Sequence, residues 1–187
     1  MHIMHSSWLK NSETKRAIKK EMAKVTDAHK ILISDLKVLF TRDLNRLKKE
    51  IAQYHSDAAL WSIQEAISNS GGNLCLHLIG NLKTFIGKEL GNIHYVRDRK
   101  NEFEGKHVPR EKIYREIDET IEAVNQGLDH VTAERLTEEF PILIWDKPTG
   151  MLYTLMHLHC HLNYHLGQIN YHRRLLDQSE DIISQNV

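Results

Sequence analysis

The 187-residue chain is poor in several things, and each shortage excludes something. It has two cysteines, Cys75 and Cys160, too few for a disulfide framework and not spaced as a CxxC motif. Both lie in apolar helical stretches, where a small buried side chain is expected. Its three prolines, at 109, 141 and 148, fall outside the periodic segments and leave long helices unbroken. Net charge is zero, with 25 Lys+Arg against 25 Asp+Glu, so no overall field favours nucleic acid or an anionic membrane. No apolar run reaches the roughly 20 residues of a membrane helix. The opening MHIMHSSWLKNSETK has no secretory hydrophobic core, so a cytoplasmic location is expected. Strand alternation and internal repeats are missing too, which points to an all-α fold.

Four apolar stripes carry that fold. The first, Leu32, Leu36, Leu39, Phe40, Leu44, Leu47 and Ile51, follows helical spacing. Ser34 or Asp35 is placed to cap it, which predicts a first core helix over 37–54 and a separate, highly charged helix before it. Asn73 to Glu89 forms the second core helix, with Gly91 as its stop. Pro109 precedes a third, striped by Ile113, Ile117, Ile121, Val124 and Leu128. The fourth spans about 149–178. Three long connections separate these helices, and long connections permit crossovers and can build a site over one end of a bundle. The domain plan is an N-terminal extension over 1–36, a bundle over 37–178 and a frayed tail over 179–187.

What the chain has in abundance is histidine: thirteen in all, five of them between His157 and His172. On a helix, with His157 at zero, His161, His172 and His165 fall at about 40°, 60° and 80°, while His159 points the other way. An i, i+4 imidazole pair presents two nitrogens at a separation one cation can bridge. A third ligand must come from another element, and His77, alone in the apolar run LCLHLI of the second helix, is the candidate.

These residues carry a resemblance. NLCLHLIGNL together with His161-Leu162-Asn163-Tyr164-His165-Leu166-Gly167-Gln168, an HxxxHxGQ motif, resembles the DinB superfamily of metalloproteins, also called DinB/YfiT-like. YVRDRKNEF and the run from Asp57 to Asn81 look like its small uncharacterised branch. The resemblance covers about residues 37–178. It implies a four-helix bundle of crossed topology and a metal held by His77, His161 and His165. It also selects His161/His165 over the competing pair His157/His161. Zinc or nickel suits three imidazoles best, with iron and cobalt as alternatives.

Around the three ligands, Asn81, His157, Tyr164, Gln168 and His172 are candidates for an outer shell. Asn81 lies one turn past His77, and Gln168 is expected to bond across the bundle and fix helix register. Tyr164 is read mainly as core packing. The charged run Arg97, Asp98, Arg99, Glu102 reads as a solvated loop with internal ion pairs, with Arg97 as a candidate contact for an anionic substrate. Trp61 and Trp145 read as anchors holding loops to the core. By the same resemblance, the expected function is a metal- and thiol-dependent transferase using a low-molecular-weight thiol. A metallohydrolase and a structural-metal or binding module are the alternatives. No catalytic residue is assigned, the expected partners are a small-molecule substrate or thiol, and a homodimer is expected.

Overall fold

The protein was analysed as a computed structural model, which describes residues 12–64 and 66–176. The expected tail lies outside the described residues.

Helix α1 runs unbroken over Ser12–Ala52. The separate extra helix expected before residue 37 is therefore the first half of α1 itself. Ser34 and Asp35 sit mid-helix and exposed, because neither is needed as a cap when the upstream residues are already helical. Burial starts at Ile33 and continues through Leu36, Phe40, Leu44, Leu47 and Ile51 at helical spacing, while the charged stretch before it stays in solvent.

The first connection holds a short helix, α2 (Asp57–Leu60), capped by the Ser56 hydroxyl accepting the Ala59 N–H at 3.1 Å. Ser70 then caps α3 (Gly71–Leu82) in the same way, accepting from the Asn73 N–H at 3.1 Å. The helix widens into a π-helical segment over Lys83–Lys88 and ends as α4 (Glu89–Gly91). The stop falls where expected, but Asn92, not Gly91, takes the left-handed conformation, at φ 54°. Gly91 serves packing instead: a Cβ there would stand 3.1 Å from the Gly127 backbone. The second connection contains α5 (Arg99–Glu104), α6 is Arg110–Asp129, and α7 is Met151–Leu176. Among the described residues there is no strand, only an isolated bridge between Glu139 and Gly150. No described helix is long and apolar enough to cross a membrane.

The four long helices do not pack in chain order. Helix α1 lies against α6 and α7, and α3 lies against the same two, so α1 and α3 face each other mainly across the bundle. The interior is apolar: Phe40 and Leu44 of α1, Leu78 and Leu82 of α3, Ile113 and Ile117 of α6, Leu155 and Leu162 of α7. Each such side chain contributes about 1.5–3 kcal/mol relative to solvent exposure.

Polar groups set the register of α7 on α1. Asp43, fully buried, accepts from Arg42, from Asn163 at 2.9 Å and from His159 at 3.0 Å. Burial alone would raise its pKa, but the hydrogen bonds from Arg42, Asn163 and His159 outweigh it and hold the carboxyl at about 2. His159 thus points away from its neighbouring histidines, as the helical phase requires. Just past the C-terminal end of α1 the Tyr54 hydroxyl reaches the Ile169 carbonyl at 3.2 Å and His172 Nδ1 at 2.7 Å. Both cysteines were expected in the core. Cys75 is, with burial pushing its thiol far up in pKa, whereas Cys160 is exposed on the outer face of α7.

Candidate metal centre

Helices α3 and α7 run antiparallel. Gly71 abuts Tyr54, which touches Ile169 and His172, while six residues further along α3 His77 meets His161 and His165. The three imidazoles converge through their Nε2 atoms: His77 to His161 at 3.4 Å and His165 to His161 at 3.0 Å. Their ligand atoms all lie within 4.8 Å of one another, and among the described residues this is the one such group of metal-ligating side chains. Nitrogens held 2.0–2.1 Å from a tetrahedral zinc stand about 3.3 Å apart, so the observed edges have the right size.

The outer hydrogen bonds assign the tautomers. His77 Nδ1 lies 3.1 Å from Glu102 Oε2, and an ionised carboxylate can only accept, so the proton sits on Nδ1. His165 Nδ1 faces Gln168 Oε1 at 2.7 Å, while the Gln168 amide nitrogen donates to the Tyr164 hydroxyl at 3.3 Å. Both rings therefore turn an Nε2 lone pair toward the Nε2 of His161. That ring has one proton when neutral, and its buried Nδ1 has no hydrogen-bond partner. Placed on Nε2, the proton would satisfy a single neighbour. Three lone pairs directed at one point are what a cation relieves.

Electrostatics favour the neutral imidazoles that metal binding requires. Burial and the neighbouring His165, His77, His157 and Arg97 depress His161 to about 4. His165 is lowered too, by burial and His77, with Gln168 opposing.

Glu102, read from the sequence as part of a solvated charged loop, instead stands buried behind His77. It arrives from α5 in the second connection. Arg97 forks onto it through Nε at 2.6 Å and Nη2 at 2.8 Å. Burial disfavours the carboxylate, but Arg97 and His77 outweigh it and lower its pKa. Its position is prepared by two features of α3. The Asn73 side chain donates to the Glu102 and Gly105 carbonyls at 3.1 and 2.8 Å, tying α5 to the start of α3. Gly80 leaves the space, since a Cβ there would lie 2.1 Å from Glu102 Oε1. The signal in sequence was a glycine one turn past His77 and a carboxylate in the charged loop, but only folding shows that they meet.

The other candidates separate clearly. Arg97 is committed to Glu102, its Nη2 also lies 3.4 Å from His77 Nδ1, and its guanidinium stacks on Phe85, 5.6 Å from the ring centre. Gln168 bonds within its own helix, to His165, instead of across the bundle. Tyr164 is exposed, edge-on to His165, and does not pack in the core. His157 lies one turn before His161, ring centres 6.2 Å apart, with Trp145 against it at 4.6 Å. Trp145 thus rests on a half-exposed histidine, whereas Trp61 is a buried anchor. His172 is outside the cluster: Tyr54 and the Ser62 carbonyl, at 2.7 and 3.0 Å, hold its two nitrogens, a structural role. Asn81 is buried one turn past His77, and its Oδ1 has no hydrogen-bond partner.

Fold and donor set define a class: an all-α helical protein whose three imidazoles can hold a metal ion. A family model described as "Protein of unknown function (DUF1572)" matches residues 27–184. The chain belongs to the DUF1572 family. The match begins inside α1, ahead of the first buried residue. No curated protein matches the chain. Among solved structures, it is similar to "Crystal structure of the conserved protein of locus from Enterococcus faecalis". That likeness has 15% identity and a TM-score of 0.61, covering 76% of this chain and 95% of that one, and it shows a shared fold.

Proposed function

We propose that the chain is a DinB-like metalloprotein that holds a divalent cation, zinc or nickel, on His77, His161 and His165. The observation that carries this is the convergence of three Nε2 atoms, two with their protons committed elsewhere by Glu102 and Gln168.

We further propose that the centre serves thiol-dependent group transfer. No fourth His, Cys, Asp or Glu joins the group among the described residues, and His161 and His165 are only half-buried. One side of the cluster is thereby left for an exchangeable ligand. A bound divalent cation supplies Lewis acidity there, lowering the pKa of a water or thiol toward neutrality. Neither cysteine belongs to the group, so a thiol at the centre is a diffusible one. Glu102 holds His77 in its ligating tautomer while fully engaged by Arg97, so it is not free to act as the base a hydrolase needs.

Elemental analysis of protein purified without an affinity tag tests the first reading: one equivalent of metal is expected, lost in His77→Ala and in His161→Ala. Equal content in either variant rejects the assignment. A cobalt-substituted sample tests the second, since a low-molecular-weight thiol should change its visible spectrum. A spectrum indifferent to thiol at millimolar concentration would rule out transfer chemistry of this kind.

A further inference from the structure

Helix α7 has a second face, turned away from the bundle. Residues 151–172 contain no Asp, Glu, Lys or Arg, and along this face Leu152, Tyr153, Met156, Tyr164, Tyr171 and Leu175 are exposed by 40–65%. With about 150–250 Å² for each aromatic side chain, the six present on the order of 600 Å² of surface, the upper end of what a monomer leaves as one apolar patch. Between the large side chains lie two small ones, Cys160 and Gly167, both exposed. The fold does not require that glycine: a Cβ there would meet nothing within 4 Å. Glycine weakens a helix relative to alanine, so its place on this open face fits the close approach of something outside the chain.

The pattern is its own antiparallel complement. On the helical wheel Cys160 and Gly167 fall about 20° apart at the centre of the face, with Tyr171 about 20° outside the one and Met156 about 20° outside the other. Along the axis Leu152 and Leu175, Met156 and Tyr171, and Cys160 and Gly167 stand in pairs equally far from the midpoint between Asn163 and Tyr164. We propose that this face is a dimer interface whose occupant is α7 of a second copy of the chain, packed antiparallel about a two-fold axis beside Tyr164. Such a contact is isologous: Met156 meets the second copy's Tyr171, Leu152 its Leu175, and Cys160 its Gly167, where the backbones come closest. A second copy matches the uncharged surface with an equally uncharged one, and the two together cover about 1,200 Å², enough for a stable interface. Tyr164 also accepts from Gln168, whose oxygen faces His165 Nδ1 at 2.7 Å, so each imidazole cluster lies two hydrogen bonds from the axis.

Sedimentation equilibrium at tens of micromolar should give about twice the 21.8 kDa of one chain. Gly167→Arg places a charged side chain in open space within one copy but in the contact between two. It should raise the dissociation constant at least about tenfold, with the helical circular dichroism and melting of one copy retained. A wild-type monomer would overturn the second copy as occupant and leave the face to a different protein. A dimer as tight in Gly167→Arg as in wild type would overturn the face. Register is read from Gly167→Cys under mild oxidation with diamide. Positions 160 and 167 of one chain are about 10 Å apart, too far for a disulfide, whereas across the axis they are opposed. A covalent dimer is expected in Gly167→Cys and not in Gly167→Cys combined with Cys160→Ser; no covalent dimer in the first, or equal yield in both, would overturn the antiparallel register.

Discussion

Gly80→Ala should weaken metal binding without unfolding the protein. The added methyl would lie 2.1 Å from Glu102 Oε1 and 2.8 Å from Cδ, well inside contact distance. The obstructed atoms belong to a flexible side chain, so the clash itself is relieved by moving the carboxylate. That movement breaks what the carboxylate does: it accepts from His77 Nδ1 at 3.1 Å and from Arg97 at 2.6 and 2.8 Å. Losing the outer partner of a ligating histidine typically lowers metal affinity about 10- to 100-fold, or about 1.4–2.7 kcal/mol. On the fold two effects oppose. Alanine favours a helix by about 1 kcal/mol over glycine. Disturbing a buried ion pair costs up to about 3–5 kcal/mol when a partner is lost outright, and here it is only displaced. Net destabilisation should stay at about 1–3 kcal/mol, a fall in Tm of about 2–12 °C for a chain of this size. The assay is zinc competition against a chromophoric chelator, with circular dichroism confirming helix. A Gly80→Ala protein with wild-type affinity would refute the claim that Glu102 orients His77.

Three further outcomes follow from contacts away from the cluster. His159→Ala should keep full metal content yet melt earlier, because it removes a donor from buried Asp43; loss of metal there would mean that the assigned helical phase is wrong. Asp43, held at about 2 against an ordinary 3.8, contributes about 2 kcal/mol above pH 4 that disappears as pH falls toward 2. Urea melts between pH 5 and 2 should show this dependence, and Asp43→Asn should flatten it; an equally steep profile in the variant would reject the role. Tyr54→Phe should destabilise by about 1 kcal/mol through the lost bonds to His172 and the Ile169 carbonyl, with metal content unchanged. A fall in metal content would tie His172 to the centre after all.

Much of the helical plan was readable because burial and helical period coincide. Leu36, Phe40, Leu44, Leu47 and Ile51 are the interior of α1, and Ile113, Ile117, Val124 and Leu128 that of α6. Where the reading failed, local signals had competitors that the linear order hides. Ser34-Asp35 looked like a cap, yet α1 passes straight through it. Gln168 was expected to reach across the bundle, but His165, one turn away, takes its oxygen first. Cys160 and Tyr164 sit in a stretch apolar almost all round, where the spacing of leucines does not say which face remains in water.

The amino-acid order by itself determined the helices and the common face of His161 and His165, because both follow from a fixed rotation of about 100° per residue. It also marked His77 as unusual, a polar ring within an apolar run. Tertiary structure decided the rest: that α3 lies antiparallel to α7 so the three rings meet, and that the second connection folds back to deliver Glu102 on α5, and Arg97 just before it, behind His77. The contacts of His77 with Glu102 and with His161 join residues 25 and 84 positions apart. No local periodicity encodes such a distance; it is set by which apolar faces find one another when the bundle closes.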